Sequence, residues 1–207
     1  MKKNRKGLML VLSSPSGAGK TTICKEILKK NKDLKMSISY TTRPKRKSEV
    51  DGRDYFFISE KKFREFQAND FFIESAKVFD HLYGTPKNFV EENLIRGIDV
   101  LFDIDWQGAQ KLSNFSKTDI VSVFILPPSN SVLKERLKKR NEDSLEIVNK
   151  RMSKAKSEIS HWIEYDYVLI NEDLEKCTDE IVIILKAERK KRDRQKFIFG
   201  FVEKLLK

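Results

Sequence analysis

The sequence predicts an α/β fold built on a parallel sheet that is buried on both faces. Four short apolar runs, LMLVL, VLFDI, VSVFIL and YVLI, lack the alternation of a half-exposed strand. Continuous apolar runs of this length are typical of strands that are covered on both sides. Segments with helical character lie between and after them, and buried parallel strands that alternate with helices indicate a layered α/β architecture.

The clearest helical periodicity runs from Ser144 to Trp162. Apolar residues recur there at spacings of three and four, which places them on one face of a long amphipathic helix. Those residues are Leu145, Val148, Met152, Ala155, Ile159 and Trp162. This face is therefore expected to pack against neighbouring elements.

Residues 37–78 carry a different pattern. The stretches SISYTT, DYFFIS and FFIESAKV alternate or carry aromatic residues, and polar turns join them, so we expect a small mixed β insertion. No internal repeat, low-complexity tract or flexible linker divides the 207 residues. The chain is therefore predicted to form one domain.

The composition favours an anionic partner in a reducing compartment. Lys and Arg total 42 against 31 Asp and Glu, a net charge of +11, which suits a nucleotide, a nucleic acid or an acidic membrane alike. Cys24 and Cys177 have no metal ligands beside them, so free intracellular thiols are expected. The apolar run after the basic start is too short for a signal peptide, and no segment reaches membrane length, so we expect a cytoplasmic location.

Residues 13–22, SSPSGAGKTT, separate the first apolar run from a helix-like segment. A phosphate loop needs Gly, four free residues and then Gly-Lys-Ser/Thr, so that backbone N–H groups point at phosphate oxygens. Gly19, Lys20 and Thr21 fit, whereas Ser14 replaces the first Gly and would be strained if φ had to be positive there. Because a helix N-terminus favours an anion, we prefer a phosphate loop to a plain Gly-rich turn. Lys20 would reach the β- and γ-phosphates, and the Thr21 hydroxyl would hold Mg²⁺.

Two acids follow the second apolar run. Asp103 and Asp105 are two residues apart, which predicts that they share one face of a strand at its carboxyl end, where α/β sheets bind ligands. Like charges repel there unless a cation or a donor-rich ligand compensates. Asp103 is predicted to hold Mg²⁺ through water, opposite Thr21. The alternative is that both acids are strand-end caps.

Two sets of arginines could bind phosphate. Arg43 and Arg46 flank a proline turn, and guanidinium forks suit bidentate phosphate contacts, although a solvated basic turn would have the same composition. Arg136 and Arg140 are four residues apart on one predicted helix face, and Arg151 flanks the apolar stripe of the next helix. An anion between them would offset their mutual repulsion, whereas the alternative is a helix that is basic all round.

The order of several segments resembles the guanylate kinase family. They are SISYTTRPKRKSEVDGRDYFFIS, FIESAKVFDHLYGT, VLFDIDWQGA, RLKKRN, NKRM and YDYVLIN, and the resemblance runs from about residue 8 to the C-terminal helix. It implies a P-loop NTPase-type three-layer core over about residues 1–36, 96–128 and 160–207. It further implies a small mixed β lobe that binds GMP, over about 37–95, and a helical lid over about 129–159.

The resemblance also implies a role for each matched residue. The ATP site would comprise Ser14, Pro15, Ser16, Gly17, Ala18, Gly19, Lys20, Thr21, Thr22 and Asn171. The GMP phosphate would lie among Ser39, Arg43, Arg46, Tyr55 and Tyr83, and guanine among Glu74, Thr85 and Asp105. The catalytic residues would be Lys20 and the lid arginines Arg136, Arg140 and Arg151.

The implied activity is Mg²⁺-dependent transfer of the ATP γ-phosphoryl group to GMP in purine nucleotide metabolism. ATP and GMP are the expected partners, without nucleic acid or membrane, and both a monomer and a homo-oligomer stay open. One alternative is a catalytically inactive protein-interaction module of the same fold. Another is a nucleic-acid surface on the basic tail ERKKRDRQK, which we instead expect to be the solvated face of a C-terminal helix.

Three positions depart from the family pattern. Ser14 and Ser48 stand where Gly is usual, and Leu82 stands where an aromatic residue is common. Glu74 also has an alternative interpretation, as a solvent-facing strand residue paired with Lys77 or Arg64. The two histidines, His81 and His161, are isolated in the sequence and receive no catalytic role.

Overall fold

A computed structural model describes residues 5–78, 80–139 and 145–207. Its strands are β1 (Met9–Ser13), β2 (Leu34–Met36), β3 (Tyr40–Thr41), β4 (Phe56–Phe57), β5 (Phe72–Val78), β6 (His81–Pro86), β7 (Asp99–Asp103), β8 (Ile120–Leu126) and β9 (Tyr167–Ile170). Its helices are α1 (Lys20–Lys30), α2 (Glu60–Ala68), α3 (Lys87–Ile95), α4 (Trp106–Phe115), α5 (Asn130–Lys139), α6 (Leu145–Ile159), α7 (Leu174–Glu188) and α8 (Ile198–Leu205). Two 3-10 helices cover Ser160–Glu164 and Arg192–Arg194.

A parallel sheet in the order β2-β7-β1-β8-β9 forms the core and confirms the predicted fold class. Alternate residues of β1 face opposite sides, because successive strand side chains point to opposite faces. Leu10 and Leu12 pack with α1 and α7 on one side. Met9 and Val11 pack with α3 and α4 on the other. Since both faces are covered by helices, the strand sequence shows no polar alternation.

The last core strand departs from that prediction. β9 lies at the edge of the sheet, with β8 as its one neighbour. Its Val168 is 36% exposed and its Ile170 is 53% exposed. The expectation that the YVLI run is covered on both faces is therefore wrong, since an edge position leaves alternate side chains outside the helical layers.

The predicted mixed β insertion is confirmed as a second sheet in the order β4-β3-β6-β5. β3 pairs parallel with β4 and antiparallel with β6, and β6 pairs antiparallel with β5. Its own small core is aromatic, with Phe63 of α2 stacked on Phe72 of β5 at 4.6 Å between ring centroids. Val90 and Leu94 of α3 pack against the core sheet instead, and the boundary of the lobe at about residue 95 stays a prediction.

The helices α5 and α6 pack on each other through Leu133, Leu137 and Ala155. The prediction that Trp162 belongs to the apolar face of this long helix is wrong. α6 ends at Ile159, and Trp162 lies in the following 3-10 helix with 46% of its surface exposed. The tighter 3-10 turn has three residues per turn, which rotates Trp162 away from the stripe.

The basic tail does not form one solvated helix face. This tail, residues 188–196, begins at the last residue of α7 and leads to α8, and Glu188 and Arg194 within it are buried, at 2% and 5% exposure. The Tyr167 hydroxyl donates to Glu188 Oε1 at 2.8 Å. The expectation of a fully solvated tail is therefore wrong at these two positions, whereas α8 itself exposes apolar residues such as Phe199. In the described part of the chain, no helix has the length and apolarity needed to cross a membrane.

Candidate functional site

A cavity of about 880 Å³ opens at the carboxyl ends of β1 and β7, between the core, the lobe and the helices α5 and α6. The predicted site residues that line it are Ser14, Pro15, Ser16, Gly17, Gly19, Lys20, Thr21, Thr22, Ser39, Arg46, Tyr55, Glu74, Tyr83, Asp103, Asp105, Arg136 and Asn171. Ala18, Arg43, Thr85 and Arg151 are not among the lining residues. Arg140, a predicted catalytic residue, lies outside the described residues.

The predicted phosphate loop, residues 14–22, runs from the end of β1 into the first turn of α1. Gly17 and Gly19 have φ angles of 94° and 99°, which L side chains rarely adopt. Asn171 supports the loop from the end of β9, because its Nδ2 donates to the Ala18 carbonyl at 2.7 Å. A Cβ on Gly19 would lie 2.7 Å from that same Nδ2, so a side chain there would have to displace the Asn171 amide as well as adopt a positive φ.

Ser14 does not carry the strain that a serine at this position could have caused. Among the described non-glycine residues, Asp70 and Asp80 are the ones with a positive φ. The left-handed turns of the loop fall on Gly17 and Gly19 instead. Ser14 is therefore compatible with the loop conformation, and so is Ser48 with its own turn.

Lys20, the first residue of α1, lies at the floor of the cavity. Its Nζ is 2.5 Å from Asp103 Oδ1 and donates to the Ile104 carbonyl at 2.9 Å. Burial by itself would lower the pKa of Lys20, but the charge and hydrogen bond of Asp103 outweigh it and raise the pKa above its ordinary value. Lys20 is thus a protonated cation at neutral pH. Thr21 Oγ1 donates a hydrogen bond to Asp103 Oδ2 at 3.3 Å. This contact brings together two oxygen atoms of the kind that bind Mg²⁺.

The expectation that Asp103 and Asp105 share a strand face is wrong for Asp105. β7 ends at Asp103, and Asp105 is the N-cap of α4, where its carboxylate accepts from the Gly108 N–H at 3.0 Å. A helix start needs such a cap because its first N–H groups have no partner within the helix. Asp105 is therefore a helix N-cap and not the strand-end cap of the alternative, and it lines the cavity.

Glu74 lies inside the lobe and not on its solvent face. It is 7% exposed on β5 and accepts a hydrogen bond from Thr85 Oγ1 of β6 at 2.8 Å. The proposed surface pairing is wrong, because Lys77 lies 3.7 Å from Asp80 and Arg64 lies 3.1 Å from Glu60. Burial raises the pKa of Glu74 to about 7, so this carboxyl titrates near neutral pH.

The four lobe residues that line the cavity beside Glu74 are Ser39, Arg46, Tyr55 and Tyr83. The rings of Tyr55 and Tyr83 meet edge to face, with centroids 5.8 Å apart. The guanidinium carbon of Arg43 is 5.4 Å from the Tyr55 centroid. Arg43 is also paired with Glu49 at 2.7 Å and is not among the residues that line the cavity.

The helices α5 and α6 bring both charge signs to the phosphate loop. Arg136 Nη1 donates to the Ala18 carbonyl at 3.4 Å. Glu158 of α6 accepts from the Ser16 N–H at 3.1 Å and lines the cavity. Burial raises the pKa of this carboxyl above its ordinary value.

Glu49 and Glu158 were both missed by the sequence-based interpretation. Glu49 is the one acidic residue between Arg43 and Val50, and an acid within a basic run is a signal that could have drawn attention to it. Glu158 follows Arg151 by seven residues, two helical turns, and therefore lies on nearly the same helix face. Its contact with Ser16 spans 142 residues and has no counterpart in the local sequence.

The chain is similar to known proteins over nearly its whole length. The family model described as guanylate kinase matches residues 6–188. A guanylate kinase of Bradyrhizobium diazoefficiens is 53% identical over 201 residues, 97% of this chain and 92% of that protein. A guanylate kinase of Paramagnetospirillum magneticum is 52% identical over 98% of this chain and 94% of that protein. The crystal structure of guanylate kinase from Anaplasma phagocytophilum superposes with a TM-score of 0.82 at 37% identity, covering 97% of this chain and 96% of that one.

Proposed function

The chain belongs to the guanylate kinase family and is an ATP:GMP phosphotransferase, and from that premise we propose how its residues divide the reaction. The observation that carries the proposal is one cavity lined both by Lys20 of the loop, with its partner Asp103 at the end of β7, and by the buried Glu74 of the lobe. ATP phosphates bind the loop, and GMP binds the lobe. The γ-phosphoryl group passes between them across the cavity.

On the donor side, Lys20 and the loop N–H groups bind the ATP phosphates. The arrangement suits this role because a protonated Lys20 directly follows the loop segment with Gly17 and Gly19, whose positive φ angles are the loop conformation in which backbone N–H groups can bind an anion. Asn171 holds the loop in shape through the Ala18 carbonyl. Arg136 approaches the same carbonyl from α5, where it can neutralise charge that develops on the transferred group. Arg140 and Arg151 are proposed for the same role.

On the acceptor side, Arg43, Arg46, Tyr55, Tyr83 and Ser39 bind the GMP phosphate, and Glu74, Thr85 and Asp105 bind guanine. An ionised carboxylate accepts hydrogen bonds only, so Glu74 and Asp105 match the N1–H and amino donors of guanine and mismatch the bare N1 of adenine. The acceptor oxygen of GMP is already anionic, so the transfer needs no general base. His81 and His161 accordingly have no part in it.

Thr21 and Asp103 are the residues proposed to hold Mg²⁺. A hydroxyl and a carboxylate, 3.3 Å apart at the loop, are the hard oxygen donors that this ion prefers, and it takes its other ligands from water and substrate phosphates. When bound, the ion supplies neutralisation of charge on the β- and γ-phosphates. The cytoplasmic location and the absence of nucleic-acid and membrane partners stay predictions.

A coupled assay of ADP formation tests this proposal, with GMP, AMP, UMP and dTMP compared as acceptors at equal concentration. We expect turnover with GMP to exceed that with each of the other three by orders of magnitude. Equal rates with GMP and AMP would contradict the guanine site. No ADP formation with any acceptor would favour the inactive interaction module.

A further inference from the structure

One carboxylate organises the turn that carries the two lobe arginines. Glu49 Oε1 accepts from Arg43 Nη2 at 2.7 Å, and Glu49 Oε2 accepts from the backbone N–H of Arg46 at 2.8 Å. The turn is closed by a third bond, from the Glu49 N–H to the Arg46 carbonyl at 3.1 Å. The Glu49 carboxylate therefore contacts both arginines: it binds the side chain of Arg43 and the backbone of Arg46.

The pair of Arg43 and Glu49 is largely withdrawn from solvent. The side chain of Glu49 is 14% exposed and that of Arg43 is 13% exposed. Burial by itself would raise the pKa of Glu49, but its hydrogen bonds with Arg43 and with the Arg46 N–H outweigh that effect and lower the pKa below its ordinary value. Glu49 is therefore a carboxylate at neutral pH, and charge-assisted hydrogen bonds of this kind are stronger than neutral ones.

The position of Arg43 follows from this pairing. Its Nη1 donates to the Pro44 carbonyl at 2.8 Å while Nη2 is held by Glu49. The guanidinium then lies against the ring of Tyr55, and Tyr55 in turn lines the cavity beside Arg46. A loss of Glu49 would free the Arg43 side chain and remove the anchor of the Arg46 backbone at the same time.

We propose that Glu49 is a positioning residue for the acceptor phosphate, which holds Arg43 against Tyr55 and fixes the turn from which Arg46 reaches the cavity. The inference rests on the proposed function, because it takes Arg46 and Tyr55 as phosphate-binding residues. Glu49 itself does not touch the substrate. Its effect is expected on the phosphate of GMP and not on guanine.

Calorimetric titration of the Glu49→Gln enzyme with GMP and with guanosine tests the proposal. Gln keeps the size and one oxygen acceptor but loses the charge, so we expect GMP binding to weaken by about tenfold or more. Guanosine has no phosphate, and its affinity should stay within about twofold of the unsubstituted enzyme. In steady-state kinetics, KM for GMP should rise while KM for ATP stays unchanged.

Two further variants keep the outcomes distinct. Glu65→Gln removes an exposed lobe carboxylate that pairs with Lys62 at 2.8 Å, and it should leave the binding of both ligands unchanged. Arg46→Ala should weaken GMP binding directly. If Arg46→Ala does so and Glu49→Gln does not, Glu49 has no positioning role while the proposed function stands.

The other contrary results are equally definite. If Glu49→Gln weakens guanosine and GMP binding to the same extent, Glu49 supports the lobe as a whole, and the proposal is overturned. If Arg46→Ala leaves GMP affinity unchanged, the assignment of the phosphate site fails and the role of Glu49 fails with it.

Discussion

Recognition of guanine should depend on pH because Glu74 is buried. Burial raises the pKa of Glu74 to about 7, and the carboxylate form is the one that accepts from both guanine donors. With that pKa, the ionised fraction falls from about 0.9 at about pH 8 to about 0.03 at about pH 5.5. We therefore expect the dissociation constant of guanosine to rise by about thirtyfold over this interval.

Guanosine is the right ligand for this measurement because the GMP phosphate has a second pKa of about 6 and would titrate in the same interval. Calorimetry or fluorescence titration at several pH values would give the dissociation constants. The Glu74→Gln enzyme should bind guanosine more weakly at about pH 8, by about ten- to a hundredfold, and with little pH dependence. An exposed carboxyl of ordinary pKa would change guanosine affinity by only about 1.1-fold over the same interval.

The reasoning is refuted if guanosine affinity does not change between about pH 5.5 and about pH 8, or if Glu74→Gln keeps the full pH dependence of guanosine affinity.

The raised pKa of Glu74 also affects folding stability. A carboxyl whose folded pKa is raised binds more protons in the native state than in the unfolded state between its two pKa values, so stability falls as pH rises through that window. At about pH 8 Glu74→Gln should therefore raise the free energy of unfolding by up to about 3 kcal/mol, and this gain should disappear below about pH 4.5.

Four further substitutions test other parts of the site and fold. Lys20→Met should abolish ADP formation while GMP binding, measured by calorimetry, stays nearly normal; turnover within about tenfold of the unsubstituted enzyme would contradict the role of Lys20. Arg151→Ala should lower kcat and kcat/KM together, and an effect on KM alone would mean a ground-state role. Glu158→Gln should tighten binding of a non-hydrolysable ATP analogue, because a charged carboxylate then no longer competes with the ATP phosphates for the Ser16 N–H. Glu135→Gln on α5 is the control. Unchanged or weaker binding of the analogue by Glu158→Gln would exclude this competition. Asp99→Ala should lower the free energy of unfolding in urea by about 3–5 kcal/mol, because it leaves Arg5 and Arg189 without their fully buried partner; a loss under about 1 kcal/mol would contradict that.

Local sequence determined the parts of this protein that depend on neighbours along the chain. Apolar runs without alternation gave the parallel core sheet, because both faces of each central strand are covered by helices. The Gly19-Lys20-Thr21 motif predicted the phosphate loop, because left-handed backbone and a helix start are properties of a few adjacent residues. The mixed lobe followed from alternating and aromatic stretches in the same way.

Tertiary structure alone decided which side chains are buried and which distant segments meet. From the sequence alone, Glu74 could be either a solvent-facing residue or a residue of the site. In the structure Glu74 is buried, and Thr85 of the neighbouring strand donates a hydrogen bond to it. Asp105 became a helix cap because β7 ends two residues before it. Ser16 and Glu158 are 142 residues apart and form a hydrogen bond. Such a pairing leaves no periodic signal in the sequence. The two groups come close together, and are withdrawn from water, only when separate elements pack against each other.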